Sequence, residues 1–147
     1  MTFQEGPEED EHQKEINIDD EGVKDRWSRY IGAMGIEAVA KQAESSVLLS
    51  GLGGLGVEIA KNLVLAGCKE LILHDTLTPS WNDIGSQFFL EASDVGSKKT
   101  RALLCKSKLQ ELNSYVKVSI LENKDMKKFL QENPKNIRVA VFTDNLK

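Results

Sequence analysis

Cysteine is nearly missing from this chain: Cys68 and Cys105 are the two in 147 residues. They form no C-x-x-C pair and the histidines do not cluster, which argues against a structural zinc site and fits a reducing compartment. Each cysteine reads as a small buried hydrophobe, Cys68 leading into a strand and Cys105 on a helix's apolar face. An excess of positive charge is also lacking. The formal net charge is -4, so no basic field invites nucleic acid. No apolar run approaches the ~20 residues that span a bilayer, and no signal-peptide pattern opens the chain, so no membrane partner is expected. What remains, 40% apolar and 29% charged, is the composition of a soluble globular domain, at a length that can bury a sizeable core.

Residues 1–22 hold nine acids and one lysine, Lys14, with few apolar residues between them. They read as a disordered acidic tail, followed by one domain over 23–147. Trp27, Ile31 and Met34 recur at helical spacing and predict a helix over 23–34, with Arg29 off that stripe. A second short helix is expected over 36–43.

The stretch around which the chain is organised follows. Val47-Leu48-Leu49-Ser50 reads as a strand, Gly51-Leu52-Gly53-Gly54-Leu55-Gly56 as a glycine-rich turn, and the next residues to Ala66 as an amphipathic helix closed by Gly67. Gly51, Gly53 and Gly56 make a G-x-G-x-x-G pattern, in which glycines permit a tight turn, close approach to a phosphate and close helix–strand packing. Free N–H groups at the helix start favour an anion. An acid about 20 residues on should hold a ribose hydroxyl, and Asp75 stands there, closing Leu71-Ile72-Leu73-His74-Asp75. The competing reading is a glycine turn kept for packing alone.

A loop with Pro79 and Gly85 runs to Phe88-Phe89-Leu90. Ala102, Cys105, Leu109 and Leu112 then mark one buried face of a helix over 98–112. Strands are expected over 116–121 and 139–142, separated by a short helix that Asp125 can cap and that carries Met126, Phe129 and Leu130. Alternating strands and helices predict an α/β, Rossmann-like parallel sheet with flanking helices, ending after its fourth strand and therefore read as truncated. Gly51 to Gly56, Asp75 and Asp144 all fall at strand carboxyl ends, where such sheets bind ligands.

These residues carry a resemblance. Arg26-Trp27-Ser28-Arg29-Tyr30 with Gly35, the run from Val47 to Leu63, Leu73-His74-Asp75, Ser86-Gln87-Phe88, the run from Glu111 to Val116, and Asp144-Asn145 together resemble the amino-terminal half of ubiquitin-activating enzymes. These belong to the ThiF-type adenylating family, which includes bacterial enzymes acting on sulfur-carrier proteins. The likeness covers roughly residues 23–145. It implies two paired domains that use ATP and magnesium to adenylate the terminal glycine of a ubiquitin-like protein, working in cytoplasm and nucleus. It also implies an asparagine and an arginine near the phosphates in active domains. Counted from Asp75, those places hold Asp83 and Ser86. An arginine binds phosphate bidentately; a serine cannot, and an aspartate repels it. Lys98, Lys99 or Arg101 could match the lysine of active domains.

The resemblance therefore implies the inactive half, with a degenerate nucleotide pocket built from Gly51, Gly53, Gly54, Gly56, Asp75 and Asp144 and no cofactor of its own. ATP and Mg would sit in a partner half, reached in trans by Arg29 although Tyr30 replaces the glutamine usual after that arginine. The competing role for Arg29 is a solvated surface residue. Three other readings stand beside the inactive half: a self-sufficient adenylating enzyme for a small carrier protein, a nicotinamide-dependent oxidoreductase, and a non-enzymatic interaction module.

Overall fold

A computed structural model describes residues 17–122, 126–133 and 136–144. Four parallel strands, β1 (Ser46–Ser50), β2 (Glu70–His74), β3 (Lys117–Ile120) and β4 (Ile137–Phe142), lie in the order β3-β2-β1-β4. Ser50 stands opposite His74 on one side and Phe142 on the other, so the ends of β1, β2 and β4 are level. After β3 the chain returns to the far side of β1. This reversal opens a crevice between the strand ends, the place where open α/β sheets bind ligands.

Helix α4 (Gly54–Ala66) and helix α6 (Arg101–Leu112) cover one face of the sheet. Val47 and Leu49 of β1, Leu71 and Leu73 of β2 and Val118 of β3 alternate onto that face. There they meet Val57, Ala60, Val64, Ala102, Cys105 and Leu109. The two-residue period of strands and the three-to-four spacing of helices produce this layer as the sequence predicts. A second, smaller cluster holds the amino-terminal helices, α1 (Glu21–Arg26), α2 (Ser28–Met34) and α3 (Ile36–Ala43), through Val23, Trp27 and Val39. Burial pushes the Cys68 thiol up to about 11 and raises that of Cys105 as well. Both cysteines are buried and free, so they pack as hydrophobes and keep their protons at neutral pH.

Several boundaries differ from expectation. Glu21 and Gly22, counted with the acidic stretch 1–22, lie in α1, because the Asp20 carboxylate accepts the N–H groups of Gly22 and Val23 and starts the helix at Glu21. Residues 1–16 lie outside the described residues. The helix expected over 23–34 is two helices broken at Trp27, and Met34 at the end of the stripe is exposed. Trp27 is drawn inward, where its indole N–H donates to the Leu65 carbonyl at 3.4 Å and its ring packs on Tyr115. The helix expected from Lys98 starts at Arg101, because Gly96 and Lys98 have positive φ and the Thr100 hydroxyl caps the first turn. The loop after Asp75 contains a short helix, α5 (Trp81–Ile84), which Ser80 and Asp83 close reciprocally as a capping box. The third strand is shorter than expected and the fourth begins at Ile137. Asp125, expected to cap α7 (Met126–Glu132), and Asn145 lie outside the described residues.

Candidate functional site

The turn after β1 meets the end of β4 across the crevice. Gly51 has φ +99, a conformation that favours glycine, and its N–H donates to the His74 carbonyl at 2.9 Å. A Cβ on Gly56 would overlap the Gly51 carbonyl oxygen, so helix and turn touch backbone to backbone. A Cβ on Gly54 would stand 2.8 Å from the Ser86 carbonyl oxygen. Gly53 is different: a Cβ there would meet the Asp144 carboxylate at 3.4 Å, an ordinary contact. Gly51, Gly53, Gly56 and Asp144, expected from the sequence at one site, thus lie together, with Gly54 against Ser86.

Asp75 leaves the end of β2 and is 8% exposed. One of its oxygens accepts the Leu52 N–H at 2.7 Å and the other the Leu77 N–H at 2.9 Å. Arg101, 5% exposed, reaches in from the start of α6. Its Nε donates to Asp75 at 2.9 Å and its Nη2 stands 2.7 Å from the same oxygen. Its Nη1 meets Asp83 at 2.9 Å, and its Nη2 also meets Asp144 at 2.6 Å. Three carboxylates from three separate segments therefore converge on one guanidinium, inside the turn where the sequence places a nucleotide.

Burial by itself would raise the Asp83 carboxyl. The backbone N–H and hydroxyl of Ser80, with the Arg101 guanidinium, outweigh it and hold Asp83 below the usual carboxylate range. Burial likewise disfavours the charged form of Arg101, but Asp75 above all, then Asp83 and Asp144, raise it above its ordinary value. Asp83 thus sits in an ion pair rather than acting as a lone repulsive charge. Of the three basic candidates on this stretch, Arg101 alone enters the pocket, while Lys98 and Lys99 are exposed.

Arg29 does not join this cluster. It is exposed on α2, and among the described residues no hydrogen bond or ion pair holds it. Its neighbour Arg26 is used internally, lying 5.5 Å over the Trp27 ring and 5.9 Å from that of Tyr115. Sequence reasoning had no means to seat Arg101 at the centre or to pair it with Asp83. The one signal was a basic residue at the head of a helix whose next residue is apolar and core-facing.

Residues 27–144 match the ThiF family. The chain belongs to that family. As a ThiF domain it is 47% identical over 125 residues to the human ubiquitin-like modifier-activating enzyme 1, a match covering 85% of this chain and 11% of that protein. It is 50% identical over 104 residues to mouse ubiquitin-like modifier-activating enzyme 6, covering 71% of this chain and 10% of the relative. The domain thus spans about a tenth of the length of these relatives. Among solved structures, E. coli MccB with succinimide superposes with a TM-score of 0.66 at 25% identity, covering 82% of this chain and 38% of MccB. E. coli tRNA N6-threonylcarbamoyladenosine dehydratase, at 16% identity, shares the fold with a TM-score of 0.70, covering 84% of this chain and 52% of that one. The parallel sheet with its flanking helices is a Rossmann-like, ThiF-type fold.

Proposed function

We propose that this ThiF domain is the non-catalytic adenylation half of a ubiquitin-like-protein-activating enzyme, paired with an active half that adenylates the terminal glycine of ubiquitin or a relative. The observation that carries this reading is the Arg101 cluster. A nucleotide needs acceptor capacity on Asp75 for its ribose and positive charge for its phosphates. Both Asp75 oxygens already accept donors, and Arg101, the only cation seated in the turn among the described residues, is spent on three acids. The side chains present therefore do not fit ATP in this half. Asp83 and Ser86, where the family resemblance calls for asparagine and arginine, support the same reading and count against a self-sufficient adenylating enzyme. Similarity to ubiquitin-like modifier-activating enzymes supports a ubiquitin-like protein as the substrate of the whole assembly. We assign ATP and magnesium to the partner half, with no role for nucleic acid or membrane, and place the assembly in cytoplasm and nucleus. Among the described residues no helix is long and apolar enough to cross a membrane.

In this assignment Arg29 supplies charge stabilisation in trans. An exposed guanidinium with no internal partner among the described residues is available to bind phosphate oxygens bidentately across an interface. ATP–pyrophosphate exchange on the reconstituted enzyme is the test. Arg29→Ala should slow exchange, by up to ~10³-fold if it acts as fully as arginine fingers do, with an unchanged melting curve for this domain. Arg29→Lys should recover part of the rate, since an ammonium lacks the planar fork. Exchange at the wild-type rate in Arg29→Ala would leave Arg29 a surface residue and remove the trans role. Calorimetric titration of the chain alone with Mg-ATP should show no saturable binding; tight binding would overturn the inactive-half reading.

A further inference from the structure

We propose that Arg101 is the resident ligand of this nucleotide fold: its guanidinium takes the position of a bound molecule, ties the strand ends together, and makes the emptied pocket selective for a planar cation rather than a nucleotide. The inference deepens the inactive-half reading and rests on it. The guanidinium donates three hydrogen bonds, Nε to Asp75, Nη1 to Asp83 and Nη2 to Asp144, and Nη2 also lies 2.7 Å from Asp75 as an ion pair. Through Asp75 the cluster reaches the backbone of Leu52 after β1 and of Leu77 after β2. Through Asp83 it reaches the Ser80 capping box, and through Asp144 the end of β4. The loop after β2 also fixes the ligand's own backbone, since the Arg101 N–H donates to the Leu77 carbonyl at 2.9 Å. These contacts span up to 43 residues of sequence, so the guanidinium does what a nucleotide does in a ligand-bound fold: it holds otherwise separate segments at one point.

The charges explain the selectivity. Three carboxylates face one guanidinium, so the cluster keeps an excess of negative charge with Arg101 in place and a larger one without it. The side chains of Asp75 and Asp83 are 2% and 14% exposed, which leaves little water to screen their repulsion. Removing Arg101 should therefore not admit a triphosphate. It should leave a flat cavity lined by carboxylate oxygens, matched to a guanidinium and not to the tetrahedral ammonium of methylammonium.

The experiment is chemical rescue of Arg101→Ala in the full 147-residue chain. Thermal melts and calorimetry are run with methylguanidinium chloride, with methylammonium chloride and sodium chloride at equal ionic strength as controls. We expect Arg101→Ala to melt roughly 5 °C or more below the unaltered chain. Millimolar methylguanidinium should bind it saturably and restore part of the loss, while leaving the unaltered chain unmoved. A melt equal to the unaltered chain's, or equal restoration by methylammonium, overturns the proposal, as does tight Mg-ATP binding by Arg101→Ala. If that variant does not fold, Asp144→Asn decides, because its side chain is 26% exposed and lies outside the core: a lowered melting temperature supports the tie, an unchanged or raised one overturns it. Mg-ATP binding by the unaltered chain would instead sink the inactive-half reading, and the methylguanidinium result would still report on the pocket by itself.

Discussion

At the scale of single residues, the three glycines of the G-x-G-x-x-G pattern are not equivalent. The motif treats Gly51, Gly53 and Gly56 alike, from which Gly53→Ala should cost stability more than rate. The structure separates them. Gly53 has an ordinary backbone conformation and room for a methyl group, whereas Gly56 faces the Gly51 carbonyl oxygen with no flexible side chain to move aside. Gly56→Ala should destabilise the domain by several kcal/mol, at the upper end for a point substitution of about 4 kcal/mol. Gly53→Ala should stay within about 1 kcal/mol of the unaltered chain. Urea denaturation of both variants checks the order, and equal losses would show that the backbone approach at Gly56 does not govern the turn.

At the scale of elements, the helices are fixed by their ends. Helix α4 leaves carbonyls exposed at its C-terminus, as every helix does, and three side chains from elsewhere in the chain satisfy them. Asn113 donates to Val64 at 2.8 Å, Trp27 to Leu65 and Gln42 to Ala66. The end of α4 thereby becomes the joint between the sheet layer and the amino-terminal helices. Helix α6 begins where it does because the Thr100 hydroxyl accepts the Leu103 N–H at 3.3 Å while Thr100 itself is extended. Since Arg101 is the first helical residue, this cap also aims the guanidinium. Thr100→Ala should lower stability by about 1 kcal/mol, and Thr100→Ser should recover most of it. A melting curve unchanged by Thr100→Ala would show that the pocket's ion pairs, and not the cap, position the start of α6.

At the scale of the whole molecule, several large apolar side chains face outward. Trp81 is 68% exposed and Leu55 64%, and Phe88, Val139 and Phe142 join them. Val139 and Phe142 lie on β4, whose one strand neighbour among the described residues is β1, leaving an outer edge of the kind that proteins usually cover. Lys61 lies 5.2 Å over the Phe88 ring. Apolar surface of this kind marks an interface or an aggregation hazard. The chain alone should self-associate at micromolar concentration in sedimentation velocity, and the Trp81→Ser, Phe88→Ser double variant should reduce that association. A monomer with a sharp thermal transition would count against an unpartnered face.

The amino-acid sequence alone determined the unit from Ser46 to Asp75, because each of its signals acts over a few residues. Apolar alternation makes the strand, glycines allow the turn, three-to-four spacing makes the helix, and the acid stands at the next strand's end. It likewise determined the parallel α/β class and the gathering of Gly51, Gly53, Gly54, Gly56, Asp75 and Asp144 at the strand ends. Helix starts were less legible, since Trp27 and Thr100 act through a buried ring and a side-chain cap that periodicity does not register. Arg101 was decided by tertiary structure alone. The chain holds 19 basic and 23 acidic residues, and nothing local says which of them will share a dry site. The crossover that carries β4 back beside β1 puts Asp144 opposite Asp75, the capped start of α6 puts Arg101 between them, and burial then obliges the charges to pair.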